Sequence, residues 1–268
     1  MLKDITLGQY FPGDTPVHKL DPRTKIILTI VYIAALLSAN TWSGYLLSFI
    51  ALAGTMAVSH IRPKAMLRGL KPLVFIIVFT AILNLFFTAG DDVLFQWKFI
   101  KITYTGLDRA AAMVVRVILL VSGTFLLTYT TSPLAITDGL ERLLNPLKKL
   151  KVPVYELSLM MCIALRFIPT IIEDTDHIMS AQKARGADLE TGTLPERAKA
   201  LLPLLIPLFI SSFRRSQELA LAMECRCYNG GVGRTQMKQL RMAGRDAVAF
   251  VLGAALFAGV IVLRRLGI

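Results

Sequence analysis

Two arginines stand out by the company they keep. Residues 181–188 read AQKARGAD, and residues 222–231 read AMECRCYNGG. In each stretch a helical pattern runs up to an arginine between small residues, then stops at glycine or at Asn-Gly-Gly. A cation in a last helical turn is favoured by the helix dipole by roughly 0.3–1 kcal/mol. That accounts for a basic residue but not for its small neighbours. Ala184 and Gly186 around Arg185, and Cys225 and Cys227 around Arg226, let a helix end approach another protein closely. The guanidinium then offers a planar fork of donors to carboxylates or carbonyls. Two similar tips imply two similar docking sites, and so a pair of related or identical partner subunits.

Other chemistry is thinly supplied. The chain has no G-x-x-x-x-G-K-[ST], and Gly230-Gly231-Val232-Gly233-Arg234 lacks both its spacing and its lysine, so no ATP hydrolysis by this chain alone is expected. Cys225-x-Cys227 falls short of the four ligands of a zinc site; Cys162 and His177 are the remaining candidates, and their spacing does not aim them there. Two small packed thiols are the plainer reading, with no metal or cofactor held by this chain. Glu173, Asp174 and Asp176 read as a solvated face of an amphipathic helix. His18 and His60 fall at the inner ends of spans, where polar residues are ordinary. Asp138-Gly139 starts like a lipid-transferase motif, but the further aspartates do not follow.

The elements that must position the two arginines belong to a membrane protein. Hydrophobic residues make up 54% of the 268 and mean hydropathy is +0.59, above the roughly 45–50% apolar usage of soluble domains. Ile26–Ile61 contains no Asp, Glu, Lys or Arg, and Pro72–Gly90, Val117–Thr137 and Ala247–Leu263 are equally bare. A crossing takes about 17–25 residues. The last three runs fit one span each, and the first fits a hairpin broken at Asn40-Thr41-Trp42-Ser43-Gly44. The expectation is an all-α integral membrane protein with about five transmembrane helices. Residues 1–131 hold the first four, 132–242 a cytoplasmic segment, and 243–268 the fifth. No secretory leader is read at the N-terminus, where Pro12-Gly13-Asp14 and Asp21-Pro22 interrupt the chain. Cys162, Cys225 and Cys227 suit a reducing compartment.

Lysine and arginine set the orientation. Lys19, Arg23 and Lys25 precede the first span, and Arg62, Lys64, Arg68 and Lys71 lie between the second and third. The N-terminus and the loop after the second span are therefore expected inside, with residues 91–105 outside, where VLFQWKFIKIT alternates like a short hairpin. Five spans place the C-terminus outside. Arg264 and Arg265 then have to snorkel, or the span count differs by one.

Ser132–Met242 holds 15 of the 30 Lys and Arg and reads as three amphipathic helices. The first covers Leu134–Leu150, with Ser132 as N-cap and Pro133 at the first helical position. The second runs from Pro153 to Ala184, with Leu157, Met161, Ala164, Ile168, Ile171 and Ile178 on one side. The third runs from Pro195 to Tyr228-Asn229. Gly186 and Gly230 stand where helix-ending glycines belong. Ala200–Phe213 is uncharged but only 14 residues long and contains Pro203 and Pro207. Leu157–Ile172 carries Arg166 and Pro169. Helices along the inner membrane surface fit both stretches better than crossings.

HKLDPRTK at 18–25, LRFIPTIIEDTDHIMSAQKARGAD and RRSQELALAMECRCYNGG resemble the signatures of the transmembrane coupling subunit, or T component, of energy-coupling factor transporters, over essentially the whole chain. The resemblance implies a multi-pass scaffold in a prokaryotic plasma membrane, with its N-terminus and coupling helices cytoplasmic. Each of two coupling helices would end in an Ala-Arg-Gly-type motif docked on one of two ATP-binding cassette ATPases, which bind the ATP and Mg. Ala184-Arg185-Gly186 matches that motif fully; at the second, Arg226 matches while Cys225 and Cys227 replace Ala and Gly. A separate S component would hold the vitamin or transition-metal ion. Met160, Met161, Leu204, Leu205 and Phe209 would suit contact with exchanging S components, because methionine-rich surfaces re-pack. The lipid bilayer is the remaining partner, and no nucleic acid is implied.

Two rival classes stay in view. A self-sufficient secondary transporter needs ionisable residues deep in its spans and inverted repeats; Arg109 and Arg116 share a face but no mid-span acid pairs with them. A membrane enzyme would have to use the acidic trio with a metal.

Overall fold

The computed structural model describes residues 10–87, 93–97, 100–187, 194–230 and 240–267. The chain divides into two compact units, Gly8–Gly139 with Leu240–Ile268, and Met1–Leu7 with Leu140–Gln239.

The first unit is a helical bundle built from α1 (Pro22–Ser38), α2 (Trp42–Ser59), α3 (Pro63–Leu70), α4 (Val74–Phe87), α5 (Tyr104–Thr130) and α9 (Gly244–Leu266). Asp21 starts α1 by accepting from the Arg23 N–H, with Pro22 in the first turn. Ala35, Leu36, Ala39, Tyr45, Leu52, Leu119 and Val260 form its core. α1 lies at the centre, with Leu36 and Ala35 fully buried. Small residues let its neighbours approach: a methyl on Gly123 would overlap the Tyr32 ring, and one on Gly253 would overlap Leu28. Between α4 and α5, β1 (Val93–Trp97) and β2 (Ile100–Thr103) form the expected hairpin, antiparallel, with Trp97 opposite Ile100 and Val93 opposite Thr103.

Side-chain bonds define the two ends of this bundle. At one end Lys25 Nζ donates to His18 O at 3.0 Å and to Thr130 O at 2.9 Å. There too the Asp246 carboxylate accepts from the Asp21 N–H at 2.9 Å and the Ala243 N–H at 2.8 Å. The HKLDPRTK stretch is thus a polar knot that ties the starts of α1 and α9 to the finish of α5. At the other end Arg116 Nη2 donates to Ala39 O at 2.7 Å and Tyr45 Oη at 2.6 Å. Trp42 Nε1 donates to Asp108 there, and Arg264 Nη1 reaches Ser38 O at 3.4 Å. α1 and α9 therefore run parallel, and α9 finishes at the end where α1 meets the Asn40–Gly44 loop. Arg264 and Arg265 thus lie in the last turn of α9, at a helix C-terminus that favours cations electrostatically.

Among the described residues five helices are long and apolar enough to cross a membrane: α2, the stretch Pro63–Leu85 through α3 and α4, α5, α9, and α7 (Val154–Ala184). α1, at 17 residues, is shorter than these but lies within the range of known spans. α5 begins at Tyr104, at the close of the 91–105 loop, so Arg109 and Arg116 lie in its first half, where Arg116 is satisfied by carbonyl and phenol oxygens. α7, expected along the inner surface, is long and apolar enough for a span by length and composition alone.

The second unit contains the last part of α6 (Pro133–Leu144), a 3-10 turn over Asn145–Leu150, α7 and α8 (Leu194–Cys225). The Ala135 N–H donates to Ser132 Oγ, the expected cap of α6. Ser158 Oγ donates to Glu141 Oε2 and fixes the start of α7 against α6.

Candidate functional site

α7 and α8 carry both arginines. Arg215 of α8 donates to Asp174 of α7 at 2.9 Å, Ser211 donates to the same carboxylate, and the Arg215 guanidinium sits 5.9 Å from the centre of the Phe167 ring. Further along, Gln182 Nε2 donates to Pro203 O, and a cavity of about 160 Å³ is lined by Thr175, Ile178, Met179, Leu201, Leu204 and Leu205. Residues that climb in number on α7 thus meet residues that fall in number on α8. The helices pack antiparallel, and their C-terminal tips lie on opposite sides of the contact. At 1.5 Å per residue, Arg185 and Arg226 are separated by about 30–40 Å.

The two tips are built alike. α7 ends at Ala184 with Arg185 as cap. Beyond it the Gly186 N–H bonds Lys183 O at 3.0 Å and the Ala187 N–H bonds Gln182 O at 3.0 Å, the paired bonds of a Schellman end. α8 ends at Cys225. There the Cys227 N–H bonds Glu224 O at 2.9 Å and the Tyr228 N–H bonds Met223 O at 3.0 Å. Ala184, Arg185 and Gly186 occupy the same three positions as Cys225, Arg226 and Cys227, and all six are exposed. The left-handed residue is Gly186 in the first motif (φ +86°) and Cys227 in the second (φ +57°). Gly230, expected to end the third helix, also has positive φ but lies three residues beyond the true position. Sequence reasoning missed this because a cysteine rarely takes a backbone shape that favours glycine.

The remaining expected residues divide. Met160, Met161, Leu205 and Phe209 are between 49% and 73% exposed, whereas Leu204 is 7% exposed and packed between α7 and α8. Leu204 is therefore a core residue of this helix pair and not part of its outer surface. Asp174 is not simply solvated, since it ties the two helices together; an acid placed among apolar positions of α7 was the signal for that. Cys162, Cys225 and Cys227 are free thiols, and among the described residues no three His, Cys, Asp or Glu side chains converge. Residues 188–193 and 231–239, the latter holding Gly231-Val232-Gly233-Arg234 of the glycine cluster, lie outside the described residues.

A family model described as "Cobalt transport protein" (CbiQ) matches residues 13–238. The chain belongs to the CbiQ family. Among its relatives, the "Energy-coupling factor transporter transmembrane protein EcfT" of Clostridium kluyveri is 52% identical over 250 residues, 93% of each chain. The protein of the same description from Ruminiclostridium cellulolyticum is 53% identical over 248 residues, 92% of each. That from Bacillus subtilis is 45% identical over 261 residues, 96% of this chain and 98% of its own. This CbiQ-family chain is a multi-pass transmembrane component of an energy-coupling factor transporter, as its resemblance to the T component implied.

Proposed function

We propose that this CbiQ-family chain is the scaffold through which two cytoplasmic ATP-binding cassette ATPases drive a separate substrate-binding membrane protein. The observation that carries the proposal is the pair of equivalent, exposed arginine ends on opposite sides of one helix contact. Two like sockets about 30–40 Å apart suit two like subunits. Each ATPase would take one tip, its acceptors meeting Arg185 or Arg226 and ATP and Mg staying on the ATPase. ATP-driven movement of the two sockets would then turn α7 against α8. The exposed Met160, Met161, Leu205 and Phe209 would pass that motion to the S component, which carries a vitamin or other micronutrient.

Parity of the chain supports a cytoplasmic place for α7 and α8. Thr130 leaves the bundle at the end that holds Asp21, and α9 starts again at that same end. A crossing by α7 would need a second crossing to return, and α8 is not among the helices apolar enough for one. The cations at that end, from Arg23 and Lys25 to Arg62 and Lys71, support its being the cytoplasmic side by the positive-inside rule. A secondary-transporter role loses support because Arg116 is spent on the end of α1.

Affinity purification from the native membrane tests the scaffold role. Two ATPase subunits and one small membrane protein should copurify, and ATP hydrolysis should disappear when the ATPases are stripped. Hydrolysis that persists in the stripped chain overturns the proposal.

A further inference from the structure

α3 is held edge-on to the bundle by its small residues. A methyl on Gly69 would lie 2.7 Å from Phe125 and 3.0 Å from Tyr129 Oη, and Tyr129 Oη donates to Ala65 O at 3.4 Å. Met66 is buried on the same side. This contact turns the opposite face outward. Lys64, Arg68 and Lys71, four and three residues apart, share that face and are all exposed. The sequence contains no Asp or Glu between Asp21 and Asp91. Among the described residues, none of the three makes an ion pair.

An open groove of about 600 Å³ adjoins these cations, its apolar wall made by Leu67, Val74, Ile77 and Ile118. Charge and apolar surface are segregated along it, with the cations on and just after α3 and the apolar wall continuing down α4 and α5. Farther along α4, Phe75 and Ile76 are 79% and 52% exposed, as hydrocarbon-facing residues are.

We propose that this face binds an anionic phospholipid, its phosphate held by Lys64, Arg68 and Lys71 and an acyl chain laid along Leu67, Val74 and Ile77. Charge complementarity selects the occupant: three unpaired cations beside an apolar trough match a molecule that is anionic at one end and hydrocarbon at the other. Basic residues at the membrane surface attract such headgroups, and an amphipathic helix in the interface presents them at the right depth. The inference rests on the orientation argued above, which puts α3 at the cytoplasmic leaflet. Its consequence is that this subunit keeps a lipid at the side of the bundle where the loop between its second and third spans meets the bilayer.

The test uses the full chain purified in mild detergent and offered equal amounts of phosphatidylglycerol and phosphatidylcholine of matched chain length. Lipids retained are counted by native mass spectrometry. Phosphatidylglycerol should be kept over phosphatidylcholine by about ten-fold or more. The triple change Lys64→Gln, Arg68→Gln, Lys71→Gln should erase that preference. The charge-keeping triple Lys64→Arg, Arg68→Lys, Lys71→Arg should keep it, as should neutralisation of the exposed Lys148, Lys149 and Lys151. Equal retention of the two lipids, or a preference that survives the glutamine triple, overturns the proposal. So does displacement by soluble glycerol phosphate, which marks a free-phosphate site. Loss of the bound lipid when the other transporter subunits assemble overturns it as well, because a protein then covers this face.

Discussion

Gly186 and Cys227 occupy the same place in two equivalent helix ends, each one residue past an arginine and each with left-handed backbone. Glycine takes that shape freely, whereas an L side chain there costs about 1–2 kcal/mol. Cys227→Gly should therefore tighten the end of α8, and Gly186→Ala should loosen the end of α7, by about 1 kcal/mol each. Hydrogen exchange at the amides of Tyr228 and Ala187, which close the two motifs, reads this locally. Slower exchange at Tyr228 in Cys227→Gly is the expected result, and unchanged exchange would remove the strain argument.

If the two tips are docking anchors, Arg185→Ala or Arg226→Ala alone should weaken ATPase association by about 2 kcal/mol, because a desolvated acceptor loses its donor. Assembly should survive each single change and fail in the double mutant, where avidity from linked contacts is gone. Lysine should rescue poorly, since it lacks the planar fork. A helix-dipole role predicts the reverse, with lysine sufficient and alanine costing at most about 1 kcal/mol of local stability. Pull-down of the ATPases beside a thermal melt of this subunit separates the two, and full retention in the double alanine variant would exclude docking.

Lys25 should be a stability residue. It is buried, and its ammonium serves two carbonyl oxygens, those of His18 and Thr130. Lys25→Met keeps the stem and removes both bonds, at an expected cost of about 2–3 kcal/mol. The detergent-solubilised melting point should fall accordingly, while the Arg185 and Arg226 variants leave it nearly unchanged.

His18 gives the knot a pH dependence. Its Nδ1 is 2.6 Å from Thr15 Oγ1 and its Nε2 is 3.1 Å from Phe11 O, a pattern that a neutral ring with the proton on Nε2 satisfies fully. Burial holds its pKa below the usual 6.5, and Lys25 nearby adds to the effect against the Phe11 carbonyl and Asp14. In the window between the folded value and 6.5 the unfolded chain binds more protons, so stability rises with pH there and levels off above 6.5. The contribution is lost as pH falls through the folded pKa. Melting points of the parent chain and His18→Gln, compared from pH 7.5 downward, should converge in acid; parallel curves would remove His18 from the account.

The legible parts of this fold were those written in local pattern. Uncharged runs marked α1, α2, α4 and α9, alternation marked the hairpin, and Ser132-Pro133 marked the start of α6. What local pattern did not show is the cover of Arg116, which is satisfied by Ala39 O and Tyr45 Oη, residues about seventy positions away. Leu204 read as surface for the same reason, since its cover is α7. The two arginines were legible as a pair because each is framed by small residues. Their equivalence down to the individual backbone bonds was not, because Gly230 offered a conventional terminator and concealed Cys227.

The parallel pairing of α1 with α9 also bears on how the protein is made. Val260 is fully buried in the same core as Leu36, and Asp246 receives the Asp21 amide. α1 therefore waits, with the part of its surface that α9 covers left open and the Asp21 N–H without Asp246, until more than two hundred further residues have been synthesised. During that interval the earlier helices sit in lipid with the groove for α9 open, the state that a quality-control protease would meet. A nascent chain stalled before Gly244 should be short-lived, and a stall beyond Leu266 should not.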